Sequence, residues 1–227
     1  SAKEGVYDLD AKPDLPGYSV PAKGDLNQIK KIARAFKRAR KPVILAGHGV
    51  VLSKAEKELT KLAEQLNIPV VSTLLGKGAI SERHELSLGM LGMHGTAYAN
   101  FAVNDCDLIC SIGSRWDDRI TGKLDEFCPD ATTIHIDIDP SEYGKMIVPD
   151  YWCVGDAKLI LQELLKHAQA GETADWVAQV KEWRKDHPLK FDKISKGLTM
   201  QEVLFELDEQ TQGDVIVSTD VGQHQMW

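Results

Sequence analysis

The sequence predicts an α/β fold, a Rossmann-like open parallel β-sheet of about six strands with helices on both faces. Short apolar runs alternate along the chain with segments of helical periodicity. The runs are continuously apolar, which is typical of parallel strands that are covered on both faces. With 227 residues, the chain is long enough for one such domain and flanking segments.

The predicted elements begin near residue 25, where Asp25 is a candidate N-cap. Ile29, Ile32 and Phe36 recur at helical spacing after it. Strands are predicted at the apolar runs 42–46, 69–73, 107–112, 132–138 and 151–154, and the glycine-rich interval 76–95 is predicted to be a loop. Helices are predicted at 26–40, after a capping box formed by Ser53 and Glu56, at 96–104, at 156–169 with a stop at Gly171, at 176–187 and at 199–211.

Changes of pattern divide the chain into three segments. Residues 1–24 contain three prolines without periodicity, which predicts a linker, and residues 25–170 form the predicted α/β domain. After Gly171 the pattern changes, and 214–218 is predicted to be a strand that starts a new unit. The chain does not begin with Met and stops at Trp227 without a terminating element, so we expect a piece of a longer protein.

Composition excludes several classes of partner. A net charge of −7 disfavours binding to nucleic acid, whose phosphates need clustered cations. No apolar run approaches the roughly 18 residues that cross a bilayer, and the N-terminus does not resemble a secretory signal, so we expect no membrane contact. The four cysteines form no CxxC pair. They predict reduced, mostly buried thiols in a cytoplasmic protein.

Glycines and polar residues follow the predicted strands repeatedly. Gly47 to Gly49 follow the first run, Gly113 to Arg119 the third, and Asp137 ends the fourth. Ligands of open parallel sheets bind beyond the carboxyl ends of the strands, where an aspartate can accept hydrogen bonds from ribose. The coincidence predicts a site for a nucleotide or dinucleotide.

Each of these signals alone has a structural alternative. The glycines can be turn residues, the acidic and basic side chains at 117–119 a surface ion-pair cluster, and His48 a locally bonded residue. His135 lies within a predicted strand and is expected to be a core histidine with satisfied hydrogen bonds. The basic residues of 26–41 form either a solvated helix face or a patch for an anionic partner.

Several motifs resemble the catalytic subunit of acetohydroxyacid synthase, also called acetolactate synthase. They are LGMHGT (91–96), RWDDRITGKLDEF (115–127), HIDIDPSE (135–142), GD (155–156) and GQHQMW (222–227). They match that family in order and spacing, and the resemblance extends from about residue 25 over nearly the whole chain.

The resemblance implies the middle, FAD-binding domain of a three-domain subunit. Residues 1–24 would then link it to a missing N-terminal domain, and 171–227 would connect it to, and begin, a missing C-terminal domain that binds thiamine diphosphate. The family's activating glutamate and its GDG-to-Asn motif lie in those domains. Thiamine diphosphate and Mg²⁺ are therefore expected in the full-length parent only, and no catalytic residue or metal ligand is expected in this chain, which alone should be inactive.

The parent implied by the resemblance is a transferase of branched-chain amino-acid biosynthesis. It condenses pyruvate with a second 2-keto acid, and it is expected to be a homo-oligomer with a regulatory small subunit. The flavin has a structural role in that family, because the net reaction transfers no electrons.

The resemblance also assigns residues to sites. The implied FAD contacts are Gly47, His48, Gly49, Thr73, Leu74, Leu91, Gly92, Met93, His94, Gly113, Ser114, Arg115, Asp117, Asp137, Ile138, Asp156 and Ala157. Arg119, Asp118 and Met93 match positions linked to the second keto acid or to herbicides. His48 replaces a glycine of many relatives, so its contact would use backbone atoms.

Two alternatives remain open at this point. One is the middle domain of a related thiamine-diphosphate enzyme, such as glyoxylate carboligase or pyruvate oxidase, and the segments MLGMHGT and RWDDRITGK argue against it. The other is a standalone nucleotide-binding module without catalysis, against which the abrupt end at Trp227 argues.

Overall fold

The computed structural model describes Asp10 and residues 22–192, 194, 196–222 and 224. Within these residues the strands form a six-stranded sheet in which every neighbouring pair is parallel. The predicted open parallel sheet is therefore confirmed. No helix among the described residues combines the length and the apolarity that crossing a membrane requires.

The described elements have the following bounds. The strands are β1 (Pro42–Ala46), β2 (Val70–Ser72), β3 (Ser87–Met90), β4 (Leu108–Ile112), β5 (Thr132–Asp137) and β6 (Tyr151–Val154). The helices are α1 (Leu26–Arg38), α2 (His48–Leu52), α3 (Glu56–Leu66), α4 (Ala97–Asp105), α5 (Asp118–Thr121), α6 (Ala157–His167), α7 (Ala174–Asp186) and α8 (Met200–Thr211).

The strand order is β3-β2-β1-β4-β5-β6. The chain runs outward from β1 to β3, then returns to the middle of the sheet and continues from β4 to β6. Its direction of progress therefore reverses between β1 and β4, which pair directly over their whole length from Pro42 to Ala46. In open α/β sheets such a reversal leaves a crevice at the carboxyl ends of the two central strands.

Apolar side chains leave both faces of the sheet. Ile44 of β1 packs in one buried cluster with residues of α1, α3 and α6, whereas Leu45 packs in a second cluster with Tyr98 of α4 and Trp176 of α7. Successive strand residues point to opposite faces, so a continuously apolar strand needs helices on both. This arrangement confirms the predicted covering of both faces.

The prediction of a loop throughout 76–95 was wrong at Ser87–Met90, which form β3. This edge strand pairs only with β2, through a register that shifts between Val70 and Ser72. A four-residue strand that contains a glycine carries almost no periodic signal, so its position depends on β2 and not on its own sequence.

The predicted capping box at Ser53 was also wrong. Residues His48–Leu52 form α2, and Ser53 ends that helix, with its hydroxyl donating to the carbonyl of Val50. Helix α3 begins at Glu56 after Ala55, which provides no side-chain cap. Ser53 therefore lies at the end of α2, whereas the sequence pattern placed it at the start of α3.

The last third of the chain differs from the predictions in two places. Helix α6 ends at His167, before the predicted stop at Gly171. Residues 214–218 form no strand, and Ile216 is fully exposed, because no neighbouring strand among the described residues offers hydrogen bonds to them. The segment 1–24 falls mostly outside the described residues, as do 223 and 225–227 of the GQHQMW motif.

Candidate functional site

The loops that follow the strands lie along one edge of the sheet, because all strands are parallel. Every residue assigned to a site in the sequence lies in one of these loops or in the first residues of the following helix, except Asp137, which is the last residue of β5. By strand they are Gly47, His48 and Gly49 (β1), Thr73 and Leu74 (β2), Leu91, Gly92, Met93 and His94 (β3), Gly113, Ser114, Arg115, Asp117, Asp118 and Arg119 (β4), Asp137 and Ile138 (β5), and Asp156 and Ala157 (β6).

The two central loops touch through their backbones where the strand order reverses. The Gly49 N–H donates to the Gly113 carbonyl over 3.1 Å, and the Gly47 N–H donates to the Ile112 carbonyl over 2.9 Å. A Cβ on Gly47 would lie 2.1 Å from the Gly113 carbonyl oxygen, and Gly113 has a φ of +64°. The close approach of the two backbones therefore requires glycine here. This observation is also compatible with the interpretation of these glycines as turn residues.

The loop after β2 is held by local bonds to the β1 loop. Thr73 accepts a hydrogen bond from the Gly76 N–H over 2.9 Å and caps a short 3₁₀ turn. The His48 ring bonds the Leu75 carbonyl through Nδ1 over 2.9 Å. The His48 side chain is therefore engaged by a hydrogen bond within the chain.

The loop after β4 concentrates charge on a strained backbone. Trp116 is fully buried with a φ of +57°, a conformation that is rare for a bulky residue. Asp117 caps α5 by accepting from the Arg119 N–H, and its carboxylate also bonds Arg115 over 3.0 Å. The Arg119 N–H and nearby polar and basic groups lower the pKa of Asp117, so this carboxylate stays ionised between exposed arginines.

The loop after β3 packs against this charged segment. Gly92 has a φ of +106°, and a Cβ there would lie 2.5 Å from the Arg119 carbonyl oxygen. The Asn100 side chain holds Gly92 through its N–H and its carbonyl, at 3.2 and 3.1 Å. The loop that carries Met93 and His94 is thereby brought beside α5, which carries Asp118 and Arg119.

The carboxyl ends of β5 and β6 form the other flank of the edge. Asp137 Oδ1 accepts from the Asp139 N–H over 3.0 Å, and the Gly155 N–H donates to the Asp137 carbonyl over 2.9 Å. The Asp137 side chain is only 11% exposed. Asp156 caps α6 by accepting from the Leu159 N–H over 3.1 Å, so its carboxylate already has a structural partner.

An apolar rim accompanies these polar groups. Large apolar side chains are exposed in the loops or short helices after four of the strands: Leu52, Leu74, Leu75, Met93 and Ile138. Exposed apolar side chains that gather at the edge of a crevice favour a ligand with a flat, apolar part. The sequence did not assign Leu52 or Leu75 to the site, because no local pattern marks either of them as exposed.

Some assigned residues cannot offer their side chains to a ligand. The side chains of Leu91, Ser114 and Ala157 are buried, and Leu91 packs in the same cluster as Trp116. Any contact from these positions would use backbone atoms. Exposed or half-buried side chains at the edge are instead those of Met93, His94, Arg115 and Arg119 among others.

The expectation for His135 was correct only in part. The ring is fully buried on β5 and Nε2 lies 2.8 Å from the Ser114 carbonyl oxygen. Its Nδ1 is buried without a hydrogen-bond partner among the described residues. Burial lowers the pKa of His135, so the ring is held neutral.

All four cysteines lie within the part of the chain that the structure describes. Cys106, Cys110, Cys128 and Cys153 are all buried and free, as predicted. Burial raises the pKa of Cys128 to about 12 and that of Cys153 to about 11. No group of three His, Cys, Asp or Glu side chains within the described residues could hold a metal ion.

The six-stranded parallel sheet, with its reversal of strand order between β1 and β4 and helices on both faces, defines a Rossmann-like α/β domain. Comparison with family models places residues 29–164 in the family described as "Thiamine pyrophosphate enzyme, central domain". The chain belongs to this family, and the match covers all six strands.

Curated relatives agree with this assignment. The acetolactate synthase large subunit of Cyanidium caldarium is 45% identical over 89% of this chain and 36% of its own length. The probable acetolactate synthase large subunit of Methanocaldococcus jannaschii is 46% identical over 97% of this chain and 39% of its own. The isozyme 3 large subunit of Escherichia coli K12 is 40% identical over 94% and 38%. The chain thus spans less than two fifths of these relatives.

Proposed function

We propose that this chain is the FAD-binding central region of an acetolactate synthase large subunit, and that FAD lies across the carboxyl edge of its sheet. The observation that carries the proposal is the reversal between β1 and β4, where three glycines bring two backbones together beside a strand-end aspartate. The names of the relatives support the choice of enzyme over glyoxylate carboligase, pyruvate oxidase or a standalone module.

The residues at this edge fit the chemistry of FAD. The Asp137 carboxylate has one oxygen engaged by the Asp139 N–H, and its Oδ2 makes no hydrogen bond among the described residues. That oxygen would accept from the adenosine ribose. Arg115 and Arg119 are exposed and would offset the charge of the diphosphate.

The flavin ring has a suitable surface on the other side of the reversal. Leu74 and Met93 are 61% and 73% exposed, and they follow β2 and β3, on the opposite side of β1 from Asp137. A dinucleotide that spans the reversal would therefore meet the Asp137 carboxylate on one side and the apolar side chains of Leu74 and Met93 on the other. When bound, FAD would supply a flat aromatic ring system, and in the proposed enzyme its role is structural.

Arg119 is the proposed contact for the carboxylate of the second 2-keto acid, with Asp118 and Met93 beside it. A guanidinium offers a planar, bidentate fork that suits a carboxylate. The packing of Gly92 against the Arg119 carbonyl fixes the base of this group. The side chains of Met93, Asp118 and Arg119 remain exposed.

The properties of the whole enzyme are part of the same proposal. They are the condensation of pyruvate with a second 2-keto acid, the use of thiamine diphosphate and Mg²⁺, assembly into a homo-oligomer with a regulatory small subunit, and a cytoplasmic location. The four free, buried thiols are compatible with a reducing compartment.

A flavin titration of the purified chain tests the proposal. The total FAD concentration is held constant while protein is added, and flavin fluorescence and absorbance are followed. We expect a saturable change at one FAD per chain, competed by ADP because both ligands share the adenosine diphosphate moiety. Riboflavin, which lacks the diphosphate and the adenosine, is expected to bind much more weakly. A linear, non-saturating response to FAD would contradict the proposal.

A further inference from the structure

Two buried polar side chains on neighbouring strands converge on a single carbonyl at the candidate site. Ser111 of β4 and His135 of β5 are register partners, and both are fully buried. The Ser111 hydroxyl donates to the Ser114 carbonyl over 3.3 Å, and His135 Nε2 lies 2.8 Å from the same oxygen. A polar group in a sheet interior is costly unless it is bonded, so a pair aimed at one acceptor calls for an explanation.

The carbonyl fixes the protonation of the ring. A carbonyl oxygen only accepts hydrogen bonds, so Nε2 must carry the proton and Nδ1 must be the bare nitrogen. The ring is wedged between Trp116 and Tyr143, with centroid distances of 5.7 and 4.8 Å. His135 therefore has one orientation and one donor, directed at Ser114.

The bonded carbonyl belongs to the loop with the most unusual backbone at the site. Ser114 follows Gly113, whose backbone packs directly against Gly49 of the β1 loop, and it precedes Arg115 and the strained Trp116. A left-handed conformation at a tryptophan persists only where its surroundings hold it. The two donors to the Ser114 carbonyl supply such a restraint immediately before the strained residue.

The same ring also approaches the other flank of the site. His135 Nε2 lies 3.8 Å from Asp137 Oδ2, the carboxylate oxygen without a hydrogen bond among the described residues. Tyr143, which packs on the ring, accepts a hydrogen bond from the Asp137 N–H over 2.8 Å, and its one hydroxyl proton is within reach of the Cys153 carbonyl at 2.9 Å and the Asp137 carbonyl at 3.1 Å. His135 thus connects the β4 loop with the β5 loop.

We infer that Ser111 and His135 are positioning residues for the dinucleotide, which hold the Ser114–Trp116 loop in register with Asp137 across the reversal of the sheet. This inference rests on the proposed function for its ligand. It assigns to the two residues no contact with FAD, since both are fully buried. Their effect reaches the ligand through the orientation of Arg115 and of the Asp137 carboxylate.

The test compares FAD affinity in four variants of the full 227-residue chain. Ser111→Ala removes one donor and His135→Phe the other, while His135→Gln keeps an amide N–H that can reach the carbonyl. Thr133→Val is the matched control, because Thr133 lies on the same strand and face but bonds Asp150 near the amino edge. Fluorescence titration gives the Kd of each, and urea unfolding reports which variants are folded.

We expect the Kd for FAD to rise about fivefold to tenfold in His135→Phe, the range typical for loss of one buried hydrogen bond. Ser111→Ala should raise it about threefold, and His135→Gln should recover most of the affinity. Thr133→Val should lower stability without changing the Kd. Equal affinities in the unmodified chain, Ser111→Ala and His135→Phe would overturn the inference, as would an equal loss in Thr133→Val.

Two measurements on the ligand-free protein keep the inference separate from the proposed function. The ¹⁵N shifts of the His135 ring should show a neutral ring protonated at Nε2, and the Arg115 and Trp116 amides should exchange faster in Ser111→Ala. A ring protonated at Nδ1, or unchanged exchange, would overturn the restraint even if His135→Phe does not fold. If the unmodified chain binds no FAD while both results hold, the proposed function fails and the restraint on the loop stands.

Discussion

At the scale of single residues, Asp137 has the environment expected of a ribose acceptor. It ends β5, its Oδ1 is engaged by the Asp139 N–H, and its Oδ2 lies 3.8 Å from Nε2 of His135. The sequence predicted the position of this carboxylate because a strand end can be read from an apolar run. The low exposure of its side chain, 11%, could not be predicted, because exposure depends on how distant parts of the chain pack.

Replacing Asp137 by Ala should raise the Kd for FAD about tenfold to a hundredfold, because a hydrogen bond to a charged acceptor is lost. The matched control is Asp150→Ala. Asp150 accepts from the Thr133 N–H over 2.8 Å at the opposite edge of the sheet. Both variants should lose some stability. Lys57→Ala, on the exposed face of α3, should change neither the stability nor the affinity for FAD. Unchanged FAD affinity in a folded Asp137→Ala protein would show that the ribose contact is wrong.

His135 gives the stability of the protein a specific pH dependence. Burial lowers its pKa below the usual 6.5, although the nearby Asp137 and Glu142 act in the opposite direction. The unfolded chain therefore takes up this proton at a higher pH than the folded chain. The contribution of the neutral ring is complete above about pH 6.5, and it is lost as the pH falls from there through the folded pKa.

Urea unfolding between about pH 8 and pH 5 measures this effect. The free energy of unfolding should fall below about pH 6.5 in the unmodified protein and more gently in His135→Gln, which cannot take up a proton. The difference between the two curves removes the contribution of all other groups. Parallel curves would contradict the assignment of a lowered pKa to His135.

At this scale the sequence predicted a locally bonded His48, but the partner of its ring, the Leu75 carbonyl, lies 27 residues further on and could not be read from the neighbouring residues. The pairing of Ser111 with His135 has no local signal, because it arises from the register of two strands. Polar residues at internal positions of apolar strands are the one feature that could have marked both.

At the scale of elements, the strands and helices that carry long apolar patterns were predictable. Five of the six described strands coincide with predicted apolar runs, whereas β3 was missed because it is short and bonded on one side only. Ser53 was assigned to the wrong helix, since a capping pattern does not reveal that α2 precedes it. Residues 214–218 have strand composition but lack a neighbouring strand among the described residues.

The contact between the β1 and β4 loops should be the element most sensitive to added volume. In Gly47→Ala, the new methyl would lie 2.1 Å from the Gly113 carbonyl oxygen, so the two loops must separate. We expect a loss of about 3 kcal/mol or more in the free energy of unfolding, at the upper end for an overpacked site. FAD affinity should fall as well.

Gly144→Ala is the control for that substitution. Gly144 has a φ of +71°, but its nearest neighbour to an added Cβ is 4.0 Å away. The expected loss is about 1 kcal/mol, from the left-handed backbone alone. Urea unfolding compares the two, and equal losses would show that the two loops do not constrain each other.

At the scale of the whole molecule, the fold could be predicted more completely than the site. Apolar runs that alternate with helices predict a parallel sheet. In a parallel sheet, all the loops that follow the strands lie at the same edge. The order of the strands was not predicted, although it locates the reversal between β1 and β4. The sequence-based assignment missed Leu52 and Leu75 of the apolar rim, because the exposure of a side chain depends on which residues pack next to it.

The 227-residue polypeptide alone should form no acetolactate from pyruvate, even with thiamine diphosphate, Mg²⁺ and FAD supplied. Its sequence contains no GDG motif, and it spans less than two fifths of the acetolactate synthase subunits that it resembles. A colorimetric assay of the product measures this directly. Formation of acetolactate clearly above a protein-free blank would contradict the assignment of the cofactor-anchoring groups to other parts of the enzyme.

The proposed position of FAD, on the carboxyl edge of the sheet, can be tested by hydrogen–deuterium exchange with and without FAD. We expect slower exchange after FAD binding in 47–49, 73–76, 113–119 and 137–139, at the carboxyl ends of four strands. We expect no change at the opposite edge, in 67–69, 105–107 and 130–132, or in the basic face of α1. Protection confined to the opposite edge or to α1, with none in the four loops, would contradict the proposed position.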